Sequence, residues 1–292
     1  MWLRWVISNL LSEVAEKKAR TAVEQMRQQL QPAATNAPLP SPPATPSTNS
    51  IVAIFALGLE SNALVSRMHK VVTTRCASFT ERIGMLDGRR LVVAESGVGA
   101  TAARQATEDV IALHQPTWII SAGFAGALHA ALRRGHIIMP NQIVDLNHQS
   151  LQIPLQIDPE TVTANPALHV GRLLTVDHVI LDAGEKRRLA DTYHALACDM
   201  ETMAVAQVCR ARQVRFLSVR VVSDLLDESL PKEIQNLIGQ HTVAAKLGAA
   251  ARALVQRPSS VKDLWKLRDL AGRCAERLAQ FLAGTVAQLD RS

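Results

Sequence analysis

The stretch CDMETMAVAQVCRARQVRFLSVRVVSD, residues 198–224, decides the fold. Between Thr202 and Arg210, Gln207 is its only polar residue. A helix that is apolar on nearly all sides must be buried, so the acids at its start, Asp199 and Glu201, lie at the edge of a core. Residues 215–222 then form the near-continuous β-branched run that is typical of a central parallel strand.

The charged groups of this stretch converge on one place. Ligands of open α/β sheets bind beyond the carboxyl ends of the strands, which is where Ser223 and Asp224 follow the predicted strand. Each charged group alone has a structural explanation: Asp199 could cap the helix, and Arg220 could pair with either acid. Four ionisable groups at one apolar edge are hard to explain by stability alone, so the pattern indicates a functional site.

The rest of the chain repeats the alternation of strand and helix. Further strands are predicted at Ile51–Leu57, Leu91–Glu95, Thr117–Ser121, Ile137–Val144 and Leu173–Val176, with helices over Thr101–His114 and most of Gly184–Ala197. This alternation predicts a doubly wound α/β sheet. Small-residue turns follow three of the strands, at Gly58–Glu60, Ser96–Ala100 and Ala122–Leu128, and such turns let backbone N–H groups approach a ligand closely. No GxGxxG motif has an acid about 20 residues further on, which disfavours a dinucleotide-binding fold.

Charge and cysteine content narrow the choice of partners. The formal net charge of +6 comes from the two ends: residues 1–50 carry five Lys/Arg against three Asp/Glu, and residues 251–292 carry eight against four. The neutral middle gives no support to nucleic-acid binding. The four cysteines have no metal-like spacing, so we expect no metal or cofactor and interpret them as reduced thiols of a cytoplasmic protein.

The chain divides into four segments by composition. Residues 1–30 have the pattern of an amphipathic helix that is too interrupted to span a membrane; it could lie on a membrane surface, or dock on a partner or on its own domain. Residues 31–50 form an uncharged Pro-rich linker. Residues 51–256 hold the globular domain, which a helix over Ile234–Val255 closes. Residues 257–292 form a helical extension whose apolar stripe packs either on the domain or between subunits.

Five motifs resemble the nucleoside phosphorylase and nucleosidase superfamily, and most of all the 5′-methylthioadenosine/S-adenosylhomocysteine nucleosidases. They are ALGLE (Ala56–Glu60), SGVG (Ser96–Gly99), SAGFAGAL (Ser121–Leu128), DMETMAVAQVC (Asp199–Cys209) and RVVSD (Arg220–Asp224). The resemblance covers about residues 51–250. It implies a single three-layer α/β domain with a central mixed, mostly parallel sheet. It also implies a homodimer and a small-molecule nucleoside substrate.

The resemblance assigns roles to residues of these motifs. Asp224 would be the general acid that protonates adenine N7, with Ser223 orienting it, and Glu60 would be the base that deprotonates the attacking water. An apolar strand end would help Asp224 to hold its proton. The remaining predicted substrate-binding residues are Glu201 and Met200 at the ribose, Asp199 where the family carries a glutamate, Ser96 and Arg220 beside Glu60, Gly97 and Gly123 in the glycine turns, and Val179 and Ile180 at the purine.

The resemblance leaves the nucleophile to be decided. Phosphorylases of this superfamily are expected to hold phosphate with arginines from glycine-rich loops, and the three small-residue turns contain no basic residue. Water is therefore the favoured nucleophile, and the predicted reaction is hydrolysis of the N-glycosidic bond of an adenine nucleoside. The alternatives are a phosphorylase of the same fold, which could act on a larger adenosyl compound, and a non-catalytic nucleoside-binding or scaffold protein.

Overall fold

The computed structural model describes residues 50–155, 157, 159–229 and 258–289. The predicted helices over residues 1–30 and 234–255, and nearly all of the predicted linker, lie outside these residues. Contacts divide the chain into two units, of which the first consists of Thr45–Ser229 and Lys266–Ser292. The sheet described below belongs to the first unit.

Ten strands and six helices are described. The strands are β1 (Ile51–Phe55), β2 (His69–Arg75), β3 (Thr80–Leu86), β4 (Arg89–Glu95), β5 (Trp118–Ala127), β6 (Ile137–Asp145), β7 (Ser150–Gln152), β8 (Leu168–Thr175), β9 (Ala197–Asp199) and β10 (Arg215–Asp224). The helices are α1 (Gly58–Val65), α2 (Ala100–His114), α3 (Pro159–Ala164), α4 (Ala183–Tyr193), α5 (Thr202–Ala211) and α6 (Pro258–Leu289).

All ten strands form one sheet, in the order β10-β6-β8-β9-β5-β1-β4-β3-β2 with β7 on β6. Strands β4, β1, β5 and β10 run parallel to one another. Strand β10 also pairs with β5, so β5, β10, β6, β8 and β9 close into a ring. Antiparallel pairs such as β6 with β10 and β5 with β9 make the sheet mixed. The predicted α/β class with a central mixed sheet is confirmed.

The core lies on both faces of β1, whose five residues are all buried. Val52 and Ile54 pack with residues of α2 and α5, whereas Ile51, Ala53 and Phe55 pack on the opposite face with residues of α6. Successive side chains of a strand point to opposite faces, so a strand between two helical layers must be apolar throughout. Helix α5 is buried along most of its length, as its composition predicts.

Two local predictions were wrong. The small-residue stretch from Ala122 is not a turn, because β5 continues through Ala127, and its residues pair with β10 and β9. Most of Gly184–Ala197 is helical, as predicted, but the second wrong prediction is the placement of Asp199 at the start of a helix: α4 ends at Tyr193, and β9 follows. Strand β9 fits between β5 and β8, so Asp199 ends a strand instead of opening α5. Pairing partners that are distant in sequence decided both cases.

Residues 274–286 of helix α6 contribute to the core of this unit. Cys274, Leu278 and Leu282 are buried in the cluster that contains Ile51 and Phe55. Of the two positions that the sequence allows for this apolar stripe, packing on the domain is the one observed here. No helix in the described part of the chain combines the length and the hydropathy that a membrane crossing requires.

Candidate active site

Four predicted site residues follow the ends of sheet strands. Glu60 lies in the first turn of α1, just after β1, and Ser96 directly follows β4. Glu201 comes two residues after β9, and Asp224 is the last residue of β10. Strands β1, β4 and β10 belong to the parallel part of the sheet, and their carboxyl ends therefore meet at one edge. The sheet thus gathers at this edge residues that lie far apart in the sequence.

The carboxylate of Glu60 is buried and held by the backbone. Oε1 accepts a hydrogen bond from the N–H of Phe124 at 2.8 Å, and Oε2 accepts bonds from Leu57 at 3.0 Å and Ala56 at 3.2 Å. Burial raises the pKa of Glu60, while these hydrogen bonds and the charge of Arg220 oppose the rise. A carboxyl group in a fixed position with a raised pKa is suited to accepting a proton near neutral pH.

Arg220 and Asp199 form a buried ion pair behind Glu60. The Nη2 of Arg220 lies 2.6 Å from Asp199 Oδ2, and the two side chains are 3% and 1% exposed. Nη2 also donates to Ser121 at 2.8 Å and to Thr202 Oγ1 at 2.7 Å. Thr175 donates to the other oxygen of Asp199 at 2.8 Å. Both oxygens of Asp199 are therefore bound to protein groups, which favours its structural explanation over a contact with sugar.

Gly123 makes this arrangement possible. A Cβ atom at position 123 would lie 2.7 Å from Arg220 Nη1 and 2.9 Å from Glu60 Oε1. Real Cβ atoms do not approach other atoms so closely, so any side chain there would displace Arg220, Glu60 or both. The glycine predicted to present backbone to a ligand thus gives room to two charged side chains.

Glu201 lies against the turn that follows β4. Its Oε1 accepts a hydrogen bond from the N–H of Gly99 at 2.7 Å. Gly97 and Gly99 have φ angles of 84° and 97°, a conformation that glycine adopts without strain. Burial, followed by repulsion from Asp199, raises the pKa of Glu201 to about 7. Ser96 in the same turn donates to backbone carbonyls, to that of Gly97 at 2.9 Å and to that of Phe55 at 3.2 Å.

Asp224 lies between a hydroxyl group and an ammonium group. Ser223 Oγ donates to Asp224 Oδ1 at 2.6 Å, in agreement with an orienting role, and Lys186 Nζ donates to Oδ2. The apolar surroundings expected for this carboxyl group are therefore not what the structure has. Asp224 lies beside Gly126 of β5. The carboxylate of Glu60 accepts a hydrogen bond from Phe124, which precedes Gly126 by two residues on the same strand. Two strand residues span roughly 7 Å, so the β5 positions that the two carboxyl groups contact are closer together than the length of a nucleoside.

The three apolar residues of the predicted site lie around the same edge. Ile180 is buried in a cluster with Cys198, and Met200 packs against that cluster. Val179 is half-buried in the segment between β8 and α4. The structure thus brings Met200 and Ile180 together.

Lys186 is the site residue that the sequence analysis missed. It lies in α4 within the charged run Glu185–Arg188, where nothing marks it as different from its neighbours. One signal was available: Leu189, Ala190 and Tyr193 follow it at three, four and seven positions, and these residues pack on a buried cluster. Residues with this spacing share one face of a helix, so Lys186 is on the apolar face of α4.

Comparison with known proteins agrees with this arrangement. A family model described as Phosphorylase superfamily matches residues 50–257. The 5′-methylthioadenosine/S-adenosylhomocysteine nucleosidase of Shewanella loihica is 26% identical over 65% of this chain and 93% of its own length. That of Staphylococcus epidermidis is 30% identical over 59% of this chain and 85% of its own.

A solved structure shows the same fold. The nucleosidase of the same name from Colwellia psychrerythraea, in complex with adenine, superposes with a TM-score of 0.61 and 20% identity, covering 83% of this chain and 96% of that one. The predicted resemblance is confirmed, and the chain belongs to the phosphorylase superfamily.

Proposed function

We propose that the protein hydrolyses the N-glycosidic bond of an adenine nucleoside of the methylthioadenosine or adenosylhomocysteine type. The observation that carries the proposal is the convergence of Glu60, Glu201 and Asp224 at one edge of the sheet. The similarity to the nucleosidases of Shewanella loihica and Staphylococcus epidermidis supports this substrate class.

In the proposed reaction the purine leaves as a neutral molecule. The C1′–N9 bond breaks, its electron pair goes to the purine, and N7 takes a proton from Asp224. The ribosyl group develops positive charge, which the nearby carboxylates stabilise. Glu201 binds the ribose hydroxyls, and Glu60 takes a proton from the water that attacks C1′. The products are adenine and the 5′-substituted ribose.

Hydrolysis is favoured over phosphorolysis by the contacts of Arg220. Its Nε and Nη2 atoms bond to Asp199, and Nη2 also donates to Ser121 and Thr202. An arginine engaged in this way has little capacity left for a phosphate dianion. Lys186 does not serve either, because its three hydrogen bonds go to Asp224, Leu225 and Glu228.

The test is adenine release from methylthioadenosine and adenosylhomocysteine by the full chain, with and without phosphate. We expect release in phosphate-free buffer, and an Asp224→Asn variant should lose about 10²–10⁴-fold in kcat. Asp269→Asn is the matched control, because Asp269 is exposed on α6 and should leave the rate unchanged. Release only with phosphate would replace hydrolysis by phosphorolysis, and no release from either nucleoside would refute the proposal.

We also infer that the enzyme works as a cytoplasmic homodimer. The resemblance implies the dimer, and the free thiols of Cys76, Cys198, Cys209 and Cys274 suit a reducing compartment. Sedimentation velocity is expected to give the mass of two chains; a monomer that is fully active would refute the dimer.

A further inference from the structure

Lys186 is a buried cation that the proposed function does not use. Its side chain is 1% exposed, and Nζ donates to Asp224 Oδ2, to the carbonyl of Leu225 at 2.8 Å and to the carbonyl of Glu228 at 2.9 Å. An ammonium group has three hydrogens, so all of its hydrogen bonds are made within the protein.

Burying the Lys186 ammonium group costs free energy, so a buried lysine at this position needs an explanation. Removing an ammonium group from water carries a large desolvation penalty, and an apolar side chain of similar size often serves packing equally well. The face of α4 that holds Lys186 is otherwise made of residues such as Leu189 and Ala190, which pack on a buried cluster. A leucine or methionine at position 186 would therefore pack equally well, so packing does not explain why a lysine is found there.

The two members of the Lys186–Asp224 pair differ in their access to solvent. The side chain of Asp224 is 17% exposed, against 1% for Lys186. Ser223 binds one oxygen of Asp224 and Lys186 binds the other, so the carboxyl group is held from both sides. Asp224 can therefore meet a ligand, whereas Lys186 can act on that ligand only through Asp224.

We propose that Lys186 is a positioning residue that orients Asp224 and supplies the proton that Asp224 passes to the departing purine. This inference rests on the proposed function. While the C1′–N9 bond breaks and its electron pair moves to the purine, the carboxylate of Asp224 takes a proton from the ammonium group of Lys186 and passes it to N7. Lys186 is left as a neutral amine and regains a proton from water after adenine has departed, so the pair holds the catalytic proton jointly.

The other ionisable groups around the pair do not change charge in the same pH range. Burial raises the pKa of Cys198 to about 12. Burial acts upward on Glu228 too, but hydrogen bonds from Leu225 and Arg134 outweigh it and leave the pKa of Glu228 lowered. Arg134 donates to the carbonyl of Ser223 and keeps its charge throughout. Asp199 is paired with Arg220. Burial raises the pKa of Glu201 to about 7 and also raises the pKa of Glu60. Both residues are present in wild type and in every Lys186 variant, so the difference between the pH profiles of these proteins reports on the pair.

The test is the pH profile of kcat/KM for adenine release. An ammonium group holds its proton to higher pH than a carboxyl group does, so an enzyme that draws its proton from Lys186 should stay active to about pH 9. In a Lys186→Met variant the carboxyl group must hold the proton alone. We expect the alkaline limb to move at least one pH unit toward acid, and kcat at about pH 8.5 to fall tenfold or more with a smaller change in KM.

Two further variants separate this role from a structural one. Lys186→Gln can still donate to the carbonyls of Leu225 and Glu228 but carries no charge, so it should show the same acid shift even if Lys186→Met does not fold. Arg187→Met removes a positive charge from the adjacent position of α4, where the side chain is 56% exposed, and should leave the profile unchanged.

Each outcome decides between the two proposals. A folded, active Lys186→Met or Lys186→Gln variant with the wild-type pH profile would refute the role of Lys186 and leave the proposed function intact. If the wild-type chain releases no adenine at any pH, the proposed function is wrong and this inference is refuted with it.

Discussion

Replacing Arg220 by methionine should destabilise the fold severely, because it leaves the Asp199 carboxylate buried without a counter-charge. The two side chains are 3% and 1% exposed, and three hydroxyl or guanidinium groups surround Asp199. Removing one partner of a buried ion pair costs about 3–5 kcal/mol. The unit that contains the sheet is roughly 200 residues long, for which 1 kcal/mol corresponds to about 2–4 °C in Tm, so Arg220→Met should melt about 6–20 °C below wild type.

The double variant Asp199→Asn/Arg220→Met separates the effect of an uncompensated charge on stability from the effect of lost packing. It removes both charges, and the hydroxyl groups of Thr175 and Thr202 can still bond to the amide. Most of the lost stability should therefore return. The matched control is Arg67→Met, since the Arg67–Glu276 pair is 40% and 58% exposed and exposed pairs contribute only about 0–1 kcal/mol.

Thermal and urea unfolding of the four proteins measure the effect directly. The reasoning fails if Arg220→Met loses less than about 1 kcal/mol, because the buried Asp199 carboxylate would then not depend on Arg220 as its counter-charge. It also fails if the double variant is as unstable as the single one, because lost packing, and not an uncompensated charge, would then be the cause.

Two further predictions concern Glu201 and Gly123. The pKa of Glu201 is about 7 in the folded chain and near 4.5 when unfolded, so the folded state binds the extra proton between these values and stability falls as pH rises from about 4.5 to 7. Urea unfolding should show this decline in wild type and less of it in Glu201→Gln; an identical decline in both would contradict the assignment. Gly123→Ala should cost about 1–3 kcal/mol in thermal unfolding and lower kcat, because its Cβ would overlap Arg220 and Glu60. Gly284→Ala, with open space at its Cβ inside α6, should be neutral or stabilising, and equal losses from both substitutions would refute the overlap argument.

The sequence alone determined the α/β class and the residues gathered at the strand ends. The apolar segment around Met203 and the β-branched run ending at Val222 are local patterns, and burial follows from them because neither has a polar face. Glu60, Glu201 and Asp224 were found because each lies within a motif that is contiguous in sequence. The convergence of Glu60 and Asp224 follows from the parallel arrangement of β1 and β10 on β5, whereas Glu201 follows β9, which runs antiparallel to β5.

Only the tertiary structure decided the pairings between distant residues. Strand β9 is three residues long and exists because β5 and β8 lie on either side of it, which no local pattern contains. Lys186 and Asp224 are 38 positions apart, and the lysine sits in a charged run that predicts exposure. Burial of that ammonium group depends on where α4 packs against the end of β10. Packing supplies Lys186 as the partner of Asp224, and packing is a property of the folded chain. The sequence therefore could not show which charged group binds the Asp224 carboxyl group.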